Sequence, residues 1–192
     1  MTRGTRWALL ACVLSLSGCS PLSTVPVQSR PGTTTTLILV RHAKRDEGLD
    51  PPLNAEGRAR ASALADALRG NGVTAVYCPD LIRNRQTGDA VAQVLGLEVN
   101  VIGAERLVDT RALANDLVDE ILLRHAGGVV LFVGNTGPFL AEQSGNLQEL
   151  YARLGGVGDP PLRYEDLYVA IIPAEGPVRF IAATYGGPSS LD

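Results

Sequence analysis

Two patterns of apolar residues alternate along this chain. Short, nearly uninterrupted apolar runs at 36–40 (TLILV), 73–77, 129–133, 167–172 and 178–183 read as strands, and a shorter one is expected at 98–102. Between them lie longer segments with helical spacing. Residues 55–69 place Ala61, Leu64, Ala65 and Leu68 on one face, with Asn54 as the N-cap and Gly70 as the stop. Helices of the same sort are predicted at 83–95 and 111–125, and a less regular one at 147–154. This alternation predicts an α/β layered domain whose strand C-termini share one edge, which is where open α/β sheets bind their ligands.

The first residues depart from that pattern. Arg3 and Arg6 precede an apolar run from Trp7 to Leu16 and then small residues, so residues 1–18 read as an export signal, too short to span a bilayer comfortably. Its end, Leu16-Ser17-Gly18-Cys19, resembles the lipobox of bacterial lipoproteins, which implies lipidation at Cys19. A plain secretory signal or an N-terminal anchor is the alternative. Residues 19–35, rich in Ser, Thr and Pro, are expected to form a flexible tether that holds a domain of residues 36–192 off the membrane. The expected location is the cell envelope, on the periplasmic face of the outer membrane in a Gram-negative organism, as Ser20 after the cysteine suggests.

Composition narrows the possibilities. The chain has 192 residues, 45% hydrophobic and 19% charged, which suits one globular domain. A formal net charge of -3 gives no overall attraction to nucleic acid or to an anionic membrane surface, so any basic cluster acts locally. Of three cysteines, Cys12 lies in the signal and Cys19 would carry lipid, leaving Cys78 as a small buried residue with no disulfide partner.

One basic cluster does stand out. RHAKR, residues 41–45, follows the first strand and sets His42 among Arg41, Lys44 and Arg45 at the ligand-binding edge. Fixed guanidinium forks suit a dianionic phosphate, and neighbouring cations disfavour the imidazolium, so His42 is expected to stay neutral and nucleophilic. Arg83, near the start of the helix after the second strand, brings another cation and a helix N-terminus to the same edge. Arg85, two positions on, is expected to point into solvent.

RHAKR, DPPLNAEGRARASAL and CPDLIRNRQT, in that order, resemble the histidine phosphatase superfamily, the group containing phosphoglycerate mutases and SixA-type phosphatases. Arg41, His42 and Arg45 match its Arg-His-x-x-Arg motif, Leu53 and Gly57 its Leu-x-x-x-Gly element, and Arg83 its second pocket arginine. The resemblance implies a three-layer α/β/α sandwich, phosphoglycerate mutase-like, with a mostly parallel central sheet. It also implies two-step phosphoryl transfer through a phosphohistidine on His42, with Arg41, Arg45 and Arg83 holding the equatorial oxygens and with no metal or other cofactor. Asp109 is the candidate proton donor, with capping of the following helix as the competing role. The partner would be a phosphorylated small molecule or a phosphohistidine protein; nucleic acid is not expected.

The chain departs from the family pattern at one point. The second histidine, expected after Val133-Gly134, is absent, and Asn135 stands there through either replacement or a short deletion. Asn135 can donate an amide hydrogen bond to a phosphoryl oxygen but has no transferable proton. The only other histidine, His125, precedes the strand at 129–133, and five residues of strand cover about 16 Å, so it should lie at the opposite edge. The residues therefore admit a phosphatase acting on phosphomonoesters or phosphohistidine, or a pseudophosphatase that binds a phosphorylated ligand or partner. A structural lipoprotein that uses only the fold is a third reading.

Overall fold

In this computed structural model, residues 26–137 and 144–188 are described. The signal at 1–18, Cys19 and the first part of the tether lie outside them. Six strands, β1 (Thr34–Arg41), β2 (Val73–Pro79), β3 (Val99–Ile102), β4 (Val129–Gly134), β5 (Asp166–Pro173) and β6 (Arg179–Thr184), form one sheet in the order β3-β2-β4-β1-β5-β6. The first four are mutually parallel; β5 runs antiparallel to β1, and β6 antiparallel to β5. Four α-helices, α1 (Ala55–Leu68), α2 (Ile82–Leu95), α3 (Thr110–Arg124) and α4 (Asn146–Arg153), cover the sheet, and a short 3-10 turn spans Ala104–Leu107.

The uninterrupted apolar character of the central strands follows from burial on both faces. In β1, Leu37 and Leu39 join Tyr77 and Phe132 beneath Leu117 of α3 and Leu150 of α4. The alternate residues Ile38 and Val40 join Val76 and Leu131 beneath Leu64 of α1 and Val91 of α2. These two cores, one on each side of one sheet, make the three-layer, mostly parallel architecture that the pattern and the resemblance predict. Cys78 is fully buried in the second core, and burial pushes its thiol up to about 12, which suits its reading as packing.

One expectation needs correction. The domain does not begin at residue 36: Val27 packs into the first core, Ser29 N donates to Pro173 O at 2.9 Å, and Ser29 Oγ bonds the hydroxyls of Thr33 and Thr35. Residues 26–33 therefore pack onto the folded unit. Strand β6 is largely exposed despite its apolar composition, because it is the last strand of the sheet.

Helix α1 shows how the Leu-x-x-x-Gly element works. Asn54 Oδ1 accepts from Gly57 N at 2.9 Å, and Asn54 N donates to Lys44 O at 3.2 Å. The start of the helix is thus pressed onto the turn after β1, with Leu53 buried beside it. A Cβ on Gly57 would fall far inside van der Waals contact distance of the Lys44 carbonyl oxygen, so only glycine permits this approach. Gly57→Ala should force α1 and that turn apart, costing roughly 3 kcal/mol and lowering Tm by roughly 5–10 °C. An unchanged melting temperature in a thermal scan would show that the contact does not constrain the fold.

Candidate active site

Strand register brings the candidate residues together. Arg41 pairs with Gly134, so His42 and Asn135 leave neighbouring parallel strands at the same level. Val40 pairs with Leu167, which sets the turn before β5 beside them. His42 N donates to Gly134 O at 3.0 Å, and Ala43 N donates to Thr87 Oγ1 at 3.0 Å. The Thr87 hydroxyl in turn donates to Arg83 O at 2.8 Å. From the same first turns of α2, Asn84 Nδ2 donates to Val133 O at 3.0 Å, and Gln86 Oε1 accepts from Leu53 N at 2.7 Å. This stretch of α2 therefore joins the ends of β1 and β4 to the segment leading into α1.

His42 is 4% exposed. Its Nδ1 lies 2.8 Å from Ala43 O, a contact that requires the proton on Nδ1 and leaves the Nε2 lone pair free. Burial is the main force pushing the imidazole down to about 3; the bond to the Ala43 carbonyl opposes this, and the charges of Arg83, Arg41 and Arg45 add to it. The ring is therefore neutral at pH 7, as required of a nitrogen nucleophile.

The arginines around it are only partly engaged. Arg41 Nη1 donates to Leu162 O at 2.9 Å, and its guanidinium carbon stands 4.1 Å from the centre of the Tyr164 ring. Arg83 Nη1 meets Asp50 Oδ1 at 3.0 Å, and Arg45 Nη1 donates to Asp46 O at 2.7 Å. The Nε atoms of Arg41 and Arg83 are buried without a hydrogen-bond partner, as is Asn135 Oδ1. The two Nε–H donors are costly to leave unmade, and an oxyanion beside them would satisfy them, whereas Asn135 Oδ1 can only accept. Lys44 turns away to Glu56 at 3.1 Å, and the exposed Arg85 pairs with Asp80 at 3.3 Å.

A cavity of about 320 Å³ shares Arg83 and Asn135 with this cluster and is also lined by Leu49, Asp50, Leu81 and Leu107. Asp109 does not line it. Its Oδ1 accepts from Arg111 N and Ala112 N at 3.1 and 2.9 Å, so it caps α3, and the proton-donor expectation gives way to the capping role. Among the described residues, the carboxylate that lines the cavity is Asp50, which also accepts from Ile82 N at the start of α2. His125 caps the C-terminus of α3, with Nε2 2.9 Å from the Tyr77 hydroxyl.

Sequence reasoning missed Tyr164, Asn84 and Thr87 as site-building residues. An antiparallel pairing of β5 with β1 would have located Tyr164, because the residues before β5 must then lie beside the end of β1. Polar residues at 84 and 87, on the inner face of a helix, carried the other signal.

Comparisons with known proteins agree with this geometry. Residues 37–110 match the sequence profile of the histidine phosphatase superfamily (branch 1). An "8-oxo-(d)GTP phosphatase" of Mycolicibacterium smegmatis is 37% identical over 94 residues, covering 45% of this chain and 28% of that protein. A "Probable phosphoglycerate mutase GpmB" of Salmonella arizonae is 27% identical over 126 residues, covering 62% of this chain and 59% of that protein. The chain thus spans less than two thirds of the length of either relative. Among solved structures, that of the protein histidine phosphatase SixA complexed with tungstate shares the fold at a TM-score of 0.61 and 18% identity, covering 78% of this chain and 96% of that one. Over residues 37–110 the chain is thus similar in sequence to the histidine phosphatase superfamily, and the solved structure shares its fold.

The depressed His42 pKa carries a stability consequence. Between pH 6.5, the ordinary histidine value, and about 3, the unfolded chain takes up a proton that the folded chain refuses. Stability should therefore fall with decreasing pH in that window by up to about 1.4 kcal/mol per pH unit on account of this group, and be unaffected by it above the window. His42→Gln should flatten the acid slope in urea unfolding at pH 7, 5 and 4. Parallel slopes for both proteins would contradict a buried neutral imidazole.

Proposed function

We propose that this chain is a phosphatase of the histidine phosphatase type, acting on phosphomonoesters or phosphohistidine through a phosphohistidine on His42. The observation that carries this reading is a buried, neutral imidazole with a free Nε2, set among three guanidiniums, two of which bury an unpartnered Nε. Nε2 attacks phosphorus, the bond to the leaving oxygen or nitrogen breaks, and the N–P bond forms. Arg41, Arg45 and Arg83 neutralise the phosphoryl oxygens. Water then attacks the phosphohistidine, releasing phosphate and restoring the imidazole. Asn135 supplies a neutral hydrogen bond in place of the family's second histidine. The chain acts at the envelope, held there through a lipid on Cys19.

One observation favours a second reading, a pseudophosphatase that binds its ligand without turnover. Asn135 stands level with His42 and carries no proton to transfer. A steady-state assay of the detergent-solubilised full chain with p-nitrophenyl phosphate, beside His42→Ala, separates the two. Hydrolysis and an acid-labile phosphoenzyme should both vanish in the variant. Folded His42→Ala with undiminished activity rules out this nucleophile, and silence in both proteins with phosphate still bound favours the pseudophosphatase. Asn135→His should raise the rate by as much as about 10²-fold, the scale of one transition-state donor; no gain would mean that residue 135 does not reach the phosphoryl group.

A further inference from the structure

The cavity beside the arginine cluster has its own chemistry. Leu81 stands half-buried at the start of α2, Leu107 closes the 3-10 turn at 1% exposure, and Leu49 projects from the loop after Arg45. Three leucines thus face a space of about 320 Å³, enough for a small ring or a branched alkyl group beyond the phosphoryl. Arg83 is the only cation among the described residues that line it, and its Nη1 is committed to Asp50.

Asp50 is itself fixed in place. Both of its oxygens lie within 3.0–3.1 Å of Ile82 N, and one also meets Arg83, so the carboxylate is tied to the N-terminus of α2. Asp46 and Glu47 precede it in the same loop. A substrate with a second anionic group here would meet a fixed negative charge and, on the described lining, no cation beyond Arg83, which is shared between Asp50 and the phosphoryl group. An uncharged apolar group would instead bury against leucine side chains.

From this we infer the substrate class: a monophosphate of a small, uncharged, partly apolar alcohol or phenol, with the leaving group in the leucine-lined cavity and no second anion. The inference rests on the reading that the phosphoryl group lodges at His42. It sets carboxylate-bearing or doubly phosphorylated substrates against this site.

Two hydrolysis-resistant probes test it without requiring turnover. Phenylphosphonate carries an uncharged ring and phosphonoacetate a carboxylate. Titration calorimetry of the detergent-solubilised full chain at pH 7 should give a Kd at least tenfold lower for phenylphosphonate. Leu81→Lys places a cation on the apolar wall at a half-exposed position and should narrow or reverse that preference. The ranking should persist in His42→Ala, where any turnover is gone. Equal binding of both probes, or tighter binding of phosphonoacetate by the wild-type protein, overturns the proposed substrate class while leaving the phosphatase reading intact, provided inorganic phosphate binds. If inorganic phosphate and both phosphonates fail to bind, the phosphate site falls and the substrate class with it.

Discussion

The hydroxyl of Thr87 is the joint on which the site depends. It receives Ala43 N and donates to Arg83 O, so one buried oxygen ties the turn that carries His42 to the helix that carries Arg83. The turn after β1 cannot use sheet pairing to satisfy its amides, because the strand has ended, and buried amides must be paired. His42 N finds Gly134 O, Ala43 N finds Thr87, and Lys44 O finds Asn54 N. Each of these partners belongs to a different segment: the end of β4, the first turns of α2 and the N-cap of α1. Satisfying the backbone of one turn therefore assembles the cluster, and the site's precision comes from hydrogen bonds that do not themselves touch a substrate.

The same arrangement makes the site unfavourable when empty. Burial and three nearby guanidiniums hold His42 uncharged, while Arg41 and Arg83 keep their Nε donors unpaired. Asp50 offsets part of the repulsion through Arg83, and the Tyr164 ring face does so for Arg41. Neither supplies an acceptor to the two Nε groups. An incoming phosphoryl group would supply both acceptors and charge, so its binding draws on electrostatic cost already present in the fold rather than on reorganisation at the moment of reaction.

How much of this was legible in the sequence depends on how local each feature is. Every strand and α-helix among the described residues was readable, to within a residue or two, from apolar spacing and from caps such as Asn54, because those signals lie within single segments. Arg41, His42, Arg45 and Arg83 were readable because a motif at a strand end and a cation at a helix start share one sheet edge. Tyr164 was not, because its place depends on the direction of β5, and strand direction is a tertiary property. Nothing local marks Asp50, because its partners, Ile82 N and Arg83, are more than thirty positions away. Asp109 shows the converse: two roles suited it in the sequence, and the amides of α3 claimed it. The tether was misjudged at its far end for a related reason, since composition reports a lack of helical or strand pattern but not whether a segment packs.

Asn135 is where scaffold and chemistry separate. Its backbone is held on both sides, with Asn135 N donating to Asn146 Oδ1 at 2.9 Å and Leu147 N donating to Asn135 O at 3.1 Å. The residue before it, Gly134, has no room for a Cβ, with Phe132, Asn146 and Leu147 all at or within 3.0 Å of that position. The level of residue 135 relative to His42 is thus fixed by β4 and the start of α4, independently of its side chain. On the proposed reading, an asparagine there alters the strength of one donor and leaves the scaffold unchanged. A neutral amide gives a hydrogen bond about half as strong as a charge-assisted one. The three guanidiniums still hold the phosphoryl group in the ground state, so the loss falls mainly on the transition state, where charge on the oxygens is redistributed and a proton must move.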